Sequence, residues 1–132
     1  MPITRKLGLF ISCGWFLIGG IGHFVATDFF VSIVPPYIPS AKAVVYVSGV
    51  FELLGAVGVL LPATRRAAGI GLILLTLAVT PANVWMWQHP ELYPSFSETA
   101  LTVRLVVQVL LLIIIYRATV ARPAASASVA GA

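Results

Sequence analysis

The chain is short of charge and thiols. Of its 132 residues, eight are Lys or Arg, four are acidic and one is cysteine. The lone cysteine, Cys13, excludes an intrachain disulfide, a C-x-x-C pair and a Cys/His metal cluster. It sits in an apolar run and is read as a small packing residue. Charged residues make up 9% of the sequence, against about 25% in soluble domains, which excludes an ordinary water-soluble fold. Strand-like alternation is lacking too, and with it the dyad pattern of an outer-membrane barrel. The net charge of +4 comes from basic residues in ones and twos. No basic patch exists, so nucleic acid is not expected as a partner.

What fills the chain instead is apolar sequence: 60% of residues are hydrophobic and the mean hydropathy is +1.04. Four runs, residues 7–25, 43–61, 67–87 and 99–116, approach the roughly 20 apolar residues that a spanning helix needs. The fold expected is therefore an all-α membrane protein, a bundle of four transmembrane helices occupying residues 1–118, followed by a disordered tail over residues 119–132. The first run is too long for a signal-peptide core and no A-x-A site follows it, so it is expected to be a retained helix.

Arg5 and Lys6 precede the first run, Arg65 and Arg66 join the second and third, and Arg117 and Arg122 follow the fourth. Lys42, Asp28, Glu91 and Glu98 lie on the other side. By the positive-inside rule both termini and the tail are cytoplasmic in a multi-pass protein. In a bacterium this places residues 27–42 and 88–97 on the periplasmic face of the cytoplasmic (inner) membrane.

The first of those connections, "ATDFFVSIVPPYIPSAK", predicts a short helix capped by Asp28 and stopped by Pro35 and Pro36. An interfacial connector and a re-entrant lid are both compatible with it, with Tyr37 at headgroup level. Small residues in the second run (Ser48, Gly49, Gly55, Ala56, Gly58) and at the start of the third (Ala67, Ala68, Gly69, Gly71) predict a tight hairpin. Pro81 frees a carbonyl one turn earlier, for which Thr80 or Asn83 is the expected donor. Trp85 and Trp87 belong to the outer aromatic belt.

Polar side chains inside these runs carry the functional signal. Glu52 lies in "VYVSGVFELLGAVGVLL", where an ionised carboxylate costs about 2.5 to 3.5 kcal/mol and so faces the bundle interior and pairs. Depth counting gives Arg104 as its partner, offset by roughly 6 Å at 1.5 Å per residue, with Gln108 four residues on and on the same face. His23 and Asn83 sit near the same level. A register device needs one or two such residues, whereas His23, Glu52, Asn83, Arg104 and Gln108 describe a polar pocket in the outer half of the bundle. Glu52 and His23 are the candidate proton donors and acceptors. Arg104, Gln108, Asn83 and Tyr37 are the candidate ligand-binding residues, and no metal ligands are expected.

The order "GxGHF…DFF…IVPPYIP…VYVSGVFELLGAVGVLLP…RR…PANVWM…RLVVQ" resembles the DoxX family of small four-helix bacterial membrane proteins, from about His23 to Gln108. The resemblance implies a component of a quinone- or thiol-linked redox system, with quinone as the candidate cofactor, membrane lipid and a redox partner subunit as candidate partners, and homo-oligomers compatible with it. Similarity in architecture to eukaryotic sterol isomerases and receptor-assembly chaperones implies two other classes: an enzyme moving protons within an apolar substrate, with Glu52 as acid or base, and a non-catalytic lipid-binding or assembly subunit. Whether Glu52 is locked by a cation or reachable from the pocket separates the catalytic readings from the last.

Overall fold

The structure, a computed structural model, describes residues 1–122. Its regular elements are all helical: α1 (Ile3–Val25), α2 (Thr27–Ser32), α3 (Ala41–Gly58), α4 (Arg65–Gln88), a 3-10 turn (Pro90–Leu92), α5 (Glu98–Ile115) and a π-helical turn (Tyr116–Val120) that continues α5. α1, α3, α4 and the α5 continuation are long and apolar enough to cross a membrane. Their outward faces carry Phe10, Ile18, Leu54 and Leu74, all exposed, a surface that suits lipid rather than water. The α2 segment lies between the first two long helices.

Chain chemistry sets the ends. Pro2 precedes α1, where its missing N–H costs nothing. Ser97 caps α5 by accepting from the Ala100 N–H at 3.0 Å. α3 is entered through Ser40 in the left-handed region, φ 55°. Arg65 donates to the Val59 and Leu60 carbonyls at 2.8 and 3.1 Å, closing the end of α3. Arg5 and Arg66 do the same for the π turn, reaching the Ala118 and Val120 carbonyls at 2.9 and 3.1 Å. The arginines read as topology markers thus also cap helices.

Two expectations are corrected here. Asp28 does not cap α2: it lies in the first turn behind Ala26, and the helix ends at Ser32, before Ile33. The tail does not begin at residue 119, because Thr119 is buried and residues 119 and 120 complete the π turn. Most of the expected disordered tail, residues 123–132, lies outside the described residues.

Around the bundle the neighbours run α1–α3–α4–α5, so α3 and α5 stand diagonally across from each other. The most extensive packing is between α1 and α3, and it depends on missing side chains: a Cβ on Gly20 would lie 2.8 Å from Leu53, and one on Gly49 would lie 2.8 Å from His23 Cβ. The predicted α3–α4 hairpin is present, with Gly55 against Leu72 and Gly58 against Ala68. Phe16, Leu72, Leu111 and Ile115 form the core toward the end of the bundle where α1 begins and the π turn ends. A second cluster, Ile33, Met86, Tyr93 and Leu101, ties α2 and the α4–α5 connection over the other end.

Candidate functional site

Between these two clusters lies a cavity of about 570 Å³, within the roughly 300–1,000 Å³ typical of small-molecule sites. Its lining is mostly apolar. The polar exceptions fall on two opposing walls.

The α1/α3 wall holds an acid and a base. His23 Nδ1 lies 2.7 Å from the Gly19 carbonyl and 3.0 Å from Glu52 Oε2. A carbonyl only accepts, so Nδ1 carries a hydrogen and donates it to Gly19. Glu52 Oε2, close but off that line, has no aligned donor. Gly19 makes the approach possible, since a Cβ there would lie 3.2 Å from Glu52 Oε1. Glu52 and His23 both line the cavity.

The α4/α5 wall is a directed chain of hydrogen bonds. Arg104 Nη2 donates to Asn83 Oδ1 at 3.1 Å, Asn83 Nδ2 to Gln108 Oε1 at 2.7 Å, and Gln108 Nε2 to Thr80 Oγ1 at 2.6 Å. Thr80 passes its hydrogen to the Thr76 carbonyl at 2.9 Å. A guanidinium can only donate, so every amide orientation down the chain follows from its first link. The Asn83, Gln108 and Thr80 oxygens each accept one of these bonds, while the buried Arg104 Nε has no partner, so this wall offers a ligand N–H donors. The Arg104 guanidinium also lies 5.9 Å from the Phe96 ring.

The cavity is roofed by the α1–α3 connection. Phe30 stacks on His23 with ring centroids 4.1 Å apart, and Ile33, Val34 and Pro35 complete the wall. Tyr93 fastens this roof by donating its hydroxyl to the Ser32 carbonyl at 2.7 Å. Burial pushes the Tyr93 phenol above its ordinary value of 10.0, which keeps the donor protonated.

The structure therefore brings five of the six sequence-predicted residues, His23, Glu52, Asn83, Arg104 and Gln108, into one cavity. It pairs them differently from the depth count. Glu52 is matched with His23, and Arg104 with Asn83. Among the described residues His23–Glu52 is the one pair of basic and acidic side chains within ion-pairing distance. The expected Glu52–Arg104 bridge fails because α3 and α5 are diagonal, not adjacent. Tyr37 does not join the site: it is 71% exposed and absent from the lining. Neither Thr80 nor Asn83 reaches the carbonyl one turn before Pro81, since both are spent in the chain above. Thr80 and Thr76 were missed as site residues, though a threonine four residues before another on one helix face is a legible signal.

Among the described residues, fold and cavity define a helical protein with four helices fit to cross a membrane and a two-walled polar pocket between them. It belongs to the family described as a domain of unknown function (DUF8561), whose model matches residues 13–119. No curated protein and no solved structure matches it.

Proposed function

We propose that this is a multi-pass protein of a bacterial cytoplasmic membrane, with both termini cytoplasmic and the pocket toward the periplasmic side, that binds a lipidic ligand as a DoxX-like component of a quinone- or thiol-linked redox system. One observation carries the reading: a single cavity sets a wall bearing N–H donors, Arg104–Asn83–Gln108, opposite an acid–base pair, His23–Glu52. A quinone head fits that division. Its carbonyl oxygens need donors, and the protons that accompany its reduction need a group able to give and take them. The electrons come from a partner subunit or thiol.

A second reading rests on the same pair. Glu52 is not locked by a guanidinium, so it is free to act as acid or base on an apolar substrate, as an isomerase would require. The third class, a lipid-binding or assembly subunit, needs the cavity but not the pair.

Native mass spectrometry of the purified protein, with extraction and identification of what co-purifies, tests the proposal. A stoichiometric quinone or isoprenoid, lost in Glu52→Gln, is the result expected. An empty cavity together with a retained second polypeptide would move the function to assembly.

A further inference from the structure

The walls of the cavity are not equally closed. At the end of the bundle where α1 begins, α1 and the α5 continuation are in tight contact: a Cβ on Gly8 would lie 2.9 Å from Ala118 Cβ and 3.6 Å from Ile114, and Arg5 binds the Ala118 carbonyl. Farther along α1 this contact is lost. Beyond it, Trp15 and Ile18 on α1, and Val103 on α5, line the cavity and yet are 50%, 74% and 50% exposed. A residue both lining a cavity and open to the outside marks its mouth; of the five such residues three fall on α1 and α5, the other two being Val44 on α3 and Ala78 on α4. Ile18 lies seven residues from the end of α1, and Val103 five residues from the start of the antiparallel α5. At 1.5 Å per residue both sides of the mouth sit about 8–10 Å below the same end of the bundle. That depth is inside the hydrocarbon of a bilayer about 30 Å thick. The end above it is shut by Phe30, Ile33 and Pro35, and Tyr93 holds that roof down.

We infer that the pocket is entered sideways, through a portal between α1 and α5 that opens into the lipid, and that its ligand is a membrane-dissolved, single-tailed amphiphile whose head presents acceptor oxygens to Arg104 and Gln108 while its tail leaves past Trp15, Ile18 and Val103. The inference rests on the pocket being a ligand site, as proposed above, and adds the route and class of the ligand. Every rim residue is apolar, which suits a tail and repels a soluble polar substrate. The Arg104 side chain turns toward Asn83 rather than toward Asp28, Glu91 or Glu98, so among the described residues no carboxylate neutralises it. An acceptor oxygen from the ligand engages the Arg104 N–H left without a partner. Two heads share this chemistry: a quinone carbonyl and a carboxylate.

Trp15 provides the reporter. In a Trp85→Phe/Trp87→Phe background it is the one remaining tryptophan of three. The protein is reconstituted in phosphatidylcholine vesicles and mixed with vesicles carrying either a long-tailed benzoquinone or a brominated fatty acid, both of which quench tryptophan. Saturable quenching is expected with at least one of them. Ile18→Phe/Val103→Phe, which narrows the mouth, should make it develop about tenfold more slowly, since restricted access acts on the association rate. Ile18→Ala/Val103→Ala should make it faster and serves if the bulkier pair folds poorly. Loss of fatty-acid quenching in Arg104→Gln with recovery in Arg104→Lys identifies a carboxylate head, and quinone quenching that survives Arg104→Gln identifies the carbonyl; either supports the inference. Unchanged rates in both rim variants, with quenching still abolished by Glu52→Gln, would overturn the portal and leave the pocket standing. Absence of saturable quenching in the parent by either probe would overturn the pocket itself.

Discussion

Asn83 joins Arg104 to Gln108, and its loss breaks two bonds between α4 and α5. Interhelical hydrogen bonds average about 0.6 kcal/mol in membrane proteins, so Asn83→Ala should cost about 1–1.5 kcal/mol in a reversible unfolding measurement. Asn83→Asp, which offers Arg104 a carboxylate, should recover part of that. Glu52→Gln is expected to behave oppositely. The amide keeps the size of the acid, and His23 keeps its bond to the Gly19 carbonyl, so unfolding should shift by less than about 1 kcal/mol while ligand retention is lost. Equal retention by wild type and Glu52→Gln would refute the role given to the acid. Which residues gather in the cavity was readable from helix depth, because 1.5 Å per residue converts position into height. Who pairs with whom was not, because height says nothing about which helices are neighbours. The usable clue lay in Gly19, four residues before His23 and therefore on the same face of α1, where a missing side chain announces another chain's approach.

The roof and the π turn are where elements meet. Tyr93→Phe removes the bond to Ser32 and keeps the ring in its cluster, so about 0.5–1.5 kcal/mol should go, read as faster amide exchange in α2 with little change in the long helices. Alkali should mimic it. The folded Tyr93 pKa lies above the ordinary 10.0, so this contribution is full below pH 10 and lost as pH rises through the raised value; Tyr93→Phe should show no such loss. Unchanged α2 exchange in Tyr93→Phe would show that the cluster alone holds the roof. At the other end, Gly69→Val would drive a side chain into Thr119, which fills the space a Cβ would need, and should lower the thermal midpoint by several degrees for each kcal/mol of overpacking. The long helices were legible because each is an unbroken apolar run. The limits of α2, and Tyr93 as its fastener, were not: six residues carry too little periodicity to register, and a tyrosine 61 positions from its acceptor leaves no local trace.

For the whole molecule, the orientation drawn from Arg and Lys placement has a direct check. Tyr37 is exposed on the α1–α3 connection, and Cys13 is the sole native thiol. In a Cys13→Ala/Tyr37→Cys variant, a membrane-impermeant maleimide applied to intact cells with a permeabilised outer membrane should label the protein; labelling only after lysis would invert the topology. The pinned-and-splayed arrangement of α1 and α5 has a mechanical consequence. α1 has 23 residues, about 35 Å at 1.5 Å per residue, and exceeds a hydrocarbon core of about 30 Å, a mismatch that helices relieve by tilting. Gripped by α5 at Gly8 and Ala118 and held to α3 along its farther half through Gly20 and Gly49, α1 can tilt only together with α3, and the width of its gap to α5 then follows the thickness of the surrounding lipid. Ligand exchange should therefore differ between vesicles of short-chain and long-chain lipid at constant headgroup, making membrane composition a control on the rate at which the pocket fills.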